Sequence, residues 1–382
     1  MPTKAKSPTD TIQEATLAYE KWIGKYLTLL PADLELKHKA MAEGVFPFLR
    51  ATFYRWMQRW PKVCPSEAKA PQLLAVGDLH VENFGTWRDV EGRLVWGIND
   101  FDEADSMPYT IDLVRLAVSA HIAVREAHLT IGARDACVAI LDGYRKALAA
   151  GGRAIVLAEE HQWLHDTVMT SLRDPVQFWK KFEGLTEITE SVPKRARRAI
   201  EKMSPEPGIS YQLMHRVAGL GSLGRQRFLA VAEYRGARIA REAKALAPSA
   251  CVFAQGLKND AIHYQEILDR SVRAIDPFVQ LRGAWIVRRL SPDCSRVELS
   301  SLAARRDETR LLHAMGFETA NVHLGTPKAI PAVLKDLKGR PVHWLHEAAA
   351  KMVEDVTHDW QQWRNSMVPK IPPAKKKSAR AS

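Results

Sequence analysis

Gly77-Asp78-Leu79-His80-Val81-Glu82-Asn83, followed by Asn99-Asp100-Phe101-Asp102, decides how this chain is read. The apolar run Leu73 to Val76 spells a short buried strand, and Gly77-Asp78 breaks it with a carboxylate at its end. A second apolar run, Leu94 to Ile98, delivers Asp100 in the same way. A lone Asp at a strand end is most often a turn residue or a helix cap. Here Asp78, His80, Asn83, Asp100, Asp102, Glu103 and Asp105 crowd one short stretch. Carboxylates gathered so closely repel one another unless a cation or a basic side chain compensates. Oxygen ligands at two adjacent strand ends suit a hard divalent cation.

Asp, Asn and Asp in this order also match the needs of phosphoryl transfer. The first carboxylate orients the attacking hydroxyl, and the amide and second carboxylate hold magnesium on the nucleotide phosphates. On this reading Asp78 is catalytic, and Asn83, Asp100 and Asp102 are metal ligands. His80 reads first as a hydrogen-bonded brace of the loop and second as a metal ligand. Asp112, near the start of the helix expected after Pro108, is either a cap favoured by the helix dipole or, as the resemblance to kinases described below implies, a support for the loop. The competing metal reading is a phosphoesterase, because Asp78-Leu79-His80 also forms an Asp-x-His element. No Gly-Asn-His and no His-x-His accompanies it, so the further ligands of a two-metal site are missing.

A second signal lies far downstream. Tyr211 to Ala218, Arg227 to Tyr234 and Ala237 to Ala243 read as strands. Gly219-Leu220-Gly221-Ser222-Leu223-Gly224 joins the first two. Such a glycine pattern alone says little. A dinucleotide fold would follow it with a helix, whereas a strand follows here, as in the phosphate-covering loop of kinases. Glycines let the backbone approach phosphate closely and turn N–H groups toward it. Gly219, Gly221, Ser222 and Gly224 are therefore candidate nucleotide contacts. Lys244 follows the third strand, where a lysine would reach the phosphates. Glu266, in a helix expected over about 259–274, is its candidate partner, with Glu242 and Glu298 as competitors.

The acidic segment resembles the catalytic half of small-molecule phosphotransferases such as the aminoglycoside and choline kinases. Those enzymes carry Gly-Asp-x-His-x-x-Asn, then Ile-Asp-Phe or Ile-Asp-Trp, then a helix containing Asp-Leu. The corresponding pieces are Gly77 to Asn83, Asn99 to Ala104, and Asp112-Leu113. Val76 stands where that family has His. The chain also resembles the uncharacterised bacterial group catalogued as domain of unknown function 2252. Phe46 to Arg50, Gly77 to Gly85, Asn99 to Ala104, Gly219 to Gly224, Lys244 to Ala250 and Val287 to Leu290 carry that likeness. Ala245 replaces the Glu usual after the lysine. The resemblance implies an α+β, bilobal, protein-kinase-like fold using ATP and Mg2+. Ordinary kinases place glycine loop and lysine before the catalytic Asp, so the reversed order here predicts circular permutation.

The expected organisation follows. Residues 1–204 form the catalytic-loop and helical lobe. Residues 205–300 form the nucleotide-covering β lobe, and residues 301–366 are helices returning to the first lobe. Residues 367–382 form a disordered basic tail, rich in Lys and Pro. The dense aromatics Phe46, Phe48, Phe53, Tyr54, Trp56 and Trp60 read as core. Phe46-Pro47-Phe48 reads as a break between helices, and Asp10 as a cap for the first.

Of the chain's 382 residues, 46% are apolar, enough for a sizeable core. No run of about 18 apolar residues occurs, which argues against a spanning helix. The N-terminus lacks the apolar stretch of a secretory signal, and the four scattered cysteines fit reduced thiols, so a cytoplasmic location is expected. The formal charge of +11 is partly in the tail, which reads first as solubilising and second as a weak contact with nucleic acid or another polyanion. The resulting expectation is a kinase-like phosphotransferase acting on an unidentified small-molecule acceptor. The alternative is a catalytically degenerate nucleotide-binding module.

Overall fold

Leu73 and Ala75 are buried on a four-residue strand, β1 (Gln72–Ala75), which pairs antiparallel with β4 (Asp105–Pro108). Between them lies a hairpin of β2 (Phe84–Arg88) and β3 (Leu94–Ile98), the latter buried throughout. The acidic segment thus runs through four short strands, paired β1 with β4 and β2 with β3. These relations come from a computed structural model that describes residues 11–126, 128–157, 161–169, 174–188, 192–294 and 307–367. The architecture is mixed α+β, with helices packed around small antiparallel sheets.

Among the described residues, four α-helices precede β1: α1 (Ile12–Ile23), α2 (Pro31–Glu43), α3 (Val45–Ala51) and α4 (Phe53–Val63). Thr11 caps α1 in a reciprocal box with Glu14, whereas Asp10, the expected cap, lies outside the described residues. The expected break at Phe46-Pro47-Phe48 is instead helix. Pro47 sits in the first turn of α3, where the N–H it lacks would have no intrahelical partner. Phe46, Phe48, Phe53, Tyr54, Trp56 and Trp60 are all buried, as a core role requires.

After β4 come α5 (Thr110–Arg125), buried on nearly all sides, and α6 (Ala133–Ala150). Gly151, at φ 76°, ends α6 in the left-handed region that glycine tolerates. Residues 153–204 were expected to be helical. They also contribute β5 (Ile155–Val156), which extends the β2–β3 sheet, before α7 (Gln162–Met169), α8 (Pro175–Glu183) and α9 (Lys194–Lys202). In α9, Ala196, Ala199 and Ile200 are buried while Lys194, Arg195 and Arg198 face outward, so this basic cluster is a solvated helix face.

The next stretch is a five-stranded antiparallel sheet in the order β6-β7-β8-β10-β9. Its strands are β6 (Gln212–His215), β7 (Arg227–Tyr234), β8 (Ala237–Ala245), β9 (Val279–Arg282) and β10 (Trp285–Leu290). Phe228, Ala243 and Val287 of this sheet pack with Ala196 and Ile200 of α9 in a separate apolar cluster. Strand β8 runs past its expected end, so Lys244 is a strand residue, opposite Arg227 and Ile286. Two short helices, α10 (Ala250–Gln255) and α11 (Tyr264–Arg270), separate β8 from β9. The second covers only part of the helix expected over 259–274.

The chain closes with α12 (Glu308–His323), α13 (Ile330–Gly339) and α14 (Trp344–Met367), which pack into the same large core as α1–α6. Helices α6 and α12 touch backbone to backbone. A Cβ on Gly143 would lie 1.9 Å from the His313 carbonyl oxygen, and one on Gly316 would lie 2.0 Å from that of Ile140. Cys64, Cys137, Cys251 and Cys294 are free thiols. No described helix is long and apolar enough to cross a membrane. The basic tail from residue 368 lies outside the described residues.

Candidate functional site

Gly77 makes the turn that aims Asp78. Its φ is 86°, and a Cβ there would sit 2.6 Å from the Glu103 carbonyl oxygen. The Val76 and Gly77 N–H groups both donate to the Asp112 carboxylate at 2.8 Å, and His323 Nε2 joins the same carboxylate at 2.8 Å. Asp112 and His323 are fully buried, and Tyr144 Oη meets His323 Nδ1 at 2.8 Å. Asp112 makes no capping bond to its own helix, so of its two expected roles it has the second, bracing the loop.

The short 3-10 turn Val81–Asn83 then orients Asn83, whose Oδ1 accepts the His80 N–H at 2.7 Å. His80 Nδ1 accepts the Glu82 N–H at 3.2 Å, a hydrogen bond within the loop. Asn99 donates its N–H to the Asn83 carbonyl, tying the end of β3 to this turn. Asp100 and Asp102 come next, with the Asp102 N–H directed at Asp100 Oδ1.

The distant glycine loop reaches the same place. Asp78, His80, Asn83, Asp100 and Asp102 line one cleft of about 40 Å³ together with Gly219, Gly221 and Ser222. A Cβ on Gly221 would lie 2.9 Å from the Arg50 carbonyl oxygen and 3.5 Å from Asp78 Oδ2. Gly219 and Gly224 hold φ of 73° and 91°, and Gly224 packs against Leu34 too closely for any side chain. The loop is pinned to α2 by Lys37 Nζ donating to the Gly221 carbonyl and by Leu30 N–H donating to that of Gly224. Lys244 Nζ, buried on β8, lies 2.5 Å from Asp102 Oδ1 and 3.4 Å from Asp100 Oδ1. Two residue sets far apart in the chain thus meet at side-chain contact.

Lys244 therefore pairs with Asp100 and Asp102, not with Glu266, which faces His263 and Arg270. Glu242 has other partners, being ringed by Arg216, Arg227 and Arg288. The remaining competitor, Glu298, lies outside the described residues.

The charges in the cleft interlock. Arg115, fully buried on α5, contacts Asp78 Oδ1 through Nε at 2.8 Å while its guanidinium stacks over Phe53 and Trp56. Arg225 meets Glu103 at 3.1 Å and Asp102 at 3.7 Å. Arg50 pairs with Glu82 at 2.5 Å. Burial raises the Asp78 carboxyl above its usual range despite the opposing pull of Arg115. Burial, with Asp100 adding to it, raises Asp102, and burial lowers Lys244. Lys37 is pushed down to about 8, again by burial, with Arg225 adding to it. Burial alone would raise Glu242, but Arg227, Arg216 and Arg288 hold it well below the usual range.

Arg115, Arg225, Lys37 and His323 were not anticipated. Arg115 had a readable signal: it interrupts the apolar run Leu113 to Ala123, where only a paired charge is tolerated. Arg225, Lys37 and His323 carry no local mark, because only the tertiary fold brings them to the cleft.

Residues 29–207 match the family model described as "Uncharacterized protein conserved in bacteria (DUF2252)". This supports the expected kinship with that bacterial group. The matched stretch holds Arg50, Asp78, Asn83, Asp100, Asp102, Asp112 and Arg115, and it stops before the glycine loop and Lys244. No curated protein and no solved structure matches the chain.

Proposed function

We propose that the chain is an ATP- and magnesium-dependent phosphotransferase with a circularly permuted, kinase-like, bilobal arrangement, acting on a small-molecule acceptor. The observation that carries this reading is the contact of Lys244 with Asp100 and Asp102, two residues that line one cleft with the glycine loop. Phosphates need a metal and a cation around them, with backbone N–H groups close by, and the cleft gathers residues of each kind. Asn83, Asp100 and Asp102 offer the hard oxygen donors magnesium prefers. Magnesium bound there would neutralise phosphate charge, and Asp78 would orient the acceptor hydroxyl. A raised Asp78 carboxyl, as burial imposes, makes it a better proton acceptor than an ordinary carboxylate. The five-stranded sheet, with the glycine loop between its first two strands and the lysine on its third, would be the nucleotide-covering lobe.

The cleft is narrow, at about 40 Å³. On this reading the loop lifts from Asp78 to admit the triphosphate, releasing the Lys37–Gly221 and Leu30–Gly224 contacts. One observation favours the second reading, a degenerate nucleotide-binding module. Asp78, Asp100, Asp102 and Glu103 already have basic partners in Arg115, Lys244 and Arg225.

Thermal unfolding with ATP, with and without magnesium, tests the proposal. A ligand held only by the folded state at a hundredfold excess over Kd stabilises by about 2.7 kcal/mol. The proposed enzyme gains stability with Mg–ATP and turns ATP over in the presence of its acceptor. A degenerate module gains stability without turnover. No shift at millimolar Mg–ATP rejects both.

A further inference from the structure

On the far side of α5 from the cleft, three side chains from three helices converge. They are His121 on α5, Cys137 on α6 and His346 on α14. Their ligand atoms all lie within 4.8 Å of one another. His121 Nε2 is 3.2 Å from Cys137 Sγ, and the two imidazole centroids are 5.1 Å apart. His121 and Cys137 are buried, at 3% and 2% exposure. His346 is half-buried, yet its Nδ1 is enclosed with no hydrogen-bond partner among the described residues.

We propose that His121, Cys137 and His346 form a transition-metal site suited to Zn2+. Two imidazoles and a thiolate are the soft-to-borderline donors that select zinc over magnesium or calcium. Tetrahedral zinc bonds of roughly 2.0–2.3 Å set N···N near about 3.3 Å and N···S near about 3.6 Å. The His121–Cys137 pair, at 3.2 Å, lies within about 0.4 Å of the N···S spacing such a site needs. Bringing in the third ligand takes a shift of at most about 1.5 Å from the present 4.8 Å limit, which the half-buried His346 ring can supply. His121 also hydrogen-bonds the Ala133 backbone, the kind of outer contact that orients a ligating ring. Metal binding at a thiol releases its proton to solvent as the metal–sulfur bond forms. Three protein ligands leave one position for water. The bound metal would clamp α5, which carries Asp112 and Arg115, to α6 and α14. This site does not depend on the nucleotide reading.

The test uses the metal-stripped full-length chain and Co2+ alone, followed by Zn2+ competition. The expected result is one Co2+ per chain with a sulfur-to-cobalt charge-transfer band, bleached by Zn2+ and indifferent to Mg2+. Cys137→Ser abolishes the band, and His346→Gln weakens binding by at least about tenfold. Cys64→Ser, Cys251→Ser and Asp100→Asn keep both, which separates this site from the other buried thiols and from the acidic cleft. If Cys137→Ser fails to fold by circular dichroism, His346→Gln, at a half-buried position, decides. A folded parent that shows no thiolate band, or a band that survives His346→Gln at unchanged affinity, overturns the site.

Discussion

Replacing Asp112 with Ala would remove the single acceptor for two buried backbone N–H groups and for His323. All three contacts are 2.8 Å long, and Asp112 has no exposed surface. A buried donor left without its acceptor costs roughly 1–3 kcal/mol, and breaking a buried ion pair, which Asp112 forms with His323 when the imidazole is protonated, roughly 3–5 kcal/mol. The expected loss is about 4 kcal/mol, a large share of the roughly 5–15 kcal/mol that holds a domain together. A residue that only capped α5 would cost about 1 kcal/mol. Urea denaturation of the parent, Asp112→Ala, His323→Phe and the double variant separates these cases. The bracing role predicts that the two losses overlap, with a coupling of at least about 1 kcal/mol. A single-variant loss near 1 kcal/mol, or strict additivity with His323→Phe, would refute it.

The glycine loop and its latch make two further predictions. Gly221→Ala places a Cβ 2.9 Å from the Arg50 carbonyl and should cost about 1–3 kcal/mol, whereas Gly184→Ala, with open space around it, should be close to neutral by the same denaturation assay. Lys37 has a folded-state value near 8 against an ordinary 10.5, so between those values the unfolded chain binds more protons and stability rises with pH. Its contribution to that rise is on the order of 3 kcal/mol. Lys37→Met should remove this contribution. A parent and variant with parallel stability curves from pH 8 to 10.5 would contradict the assignment.

Local signals in the sequence were read well where they were sufficient. Leu94–Ile98 and Arg227–Tyr234 are strands with the expected boundaries, because apolar and β-branched runs bounded by turn residues leave few alternatives. The meeting of Asp100 with Lys244 also followed from local chemistry, since each half carried the marks of one side of a phosphate site. Pro47 was read as a break because the rule against proline in helices lapses in the first turn. The lysine partner was missed because three glutamates competed and the sequence does not reveal which element packs over β8. The Asp112–His323 brace was half-legible. Asp112 was marked as a possible support, but His323 arrives from a helix two hundred residues away with nothing local to announce it. The Gly143–Gly316 crossing was invisible for the same reason, since glycine in a helix marks no particular neighbour.

Calorimetric titration of Mg–ATP into the parent, Asp78→Asn and Asp100→Asn tests the central proposal most directly. The parent should bind with an affinity that falls sharply when magnesium is omitted. Asp78→Asn should bind Mg–ATP much like the parent yet lose phosphoryl transfer to the acceptor, because the nucleotide contacts lie elsewhere. Asp100→Asn should lose the magnesium-dependent part of the affinity while keeping the weaker, metal-free part supplied by the glycine loop and Lys244. Binding to Asp100→Asn that is indistinguishable from the parent in magnesium, or a parent that binds no nucleotide at all, would contradict the account.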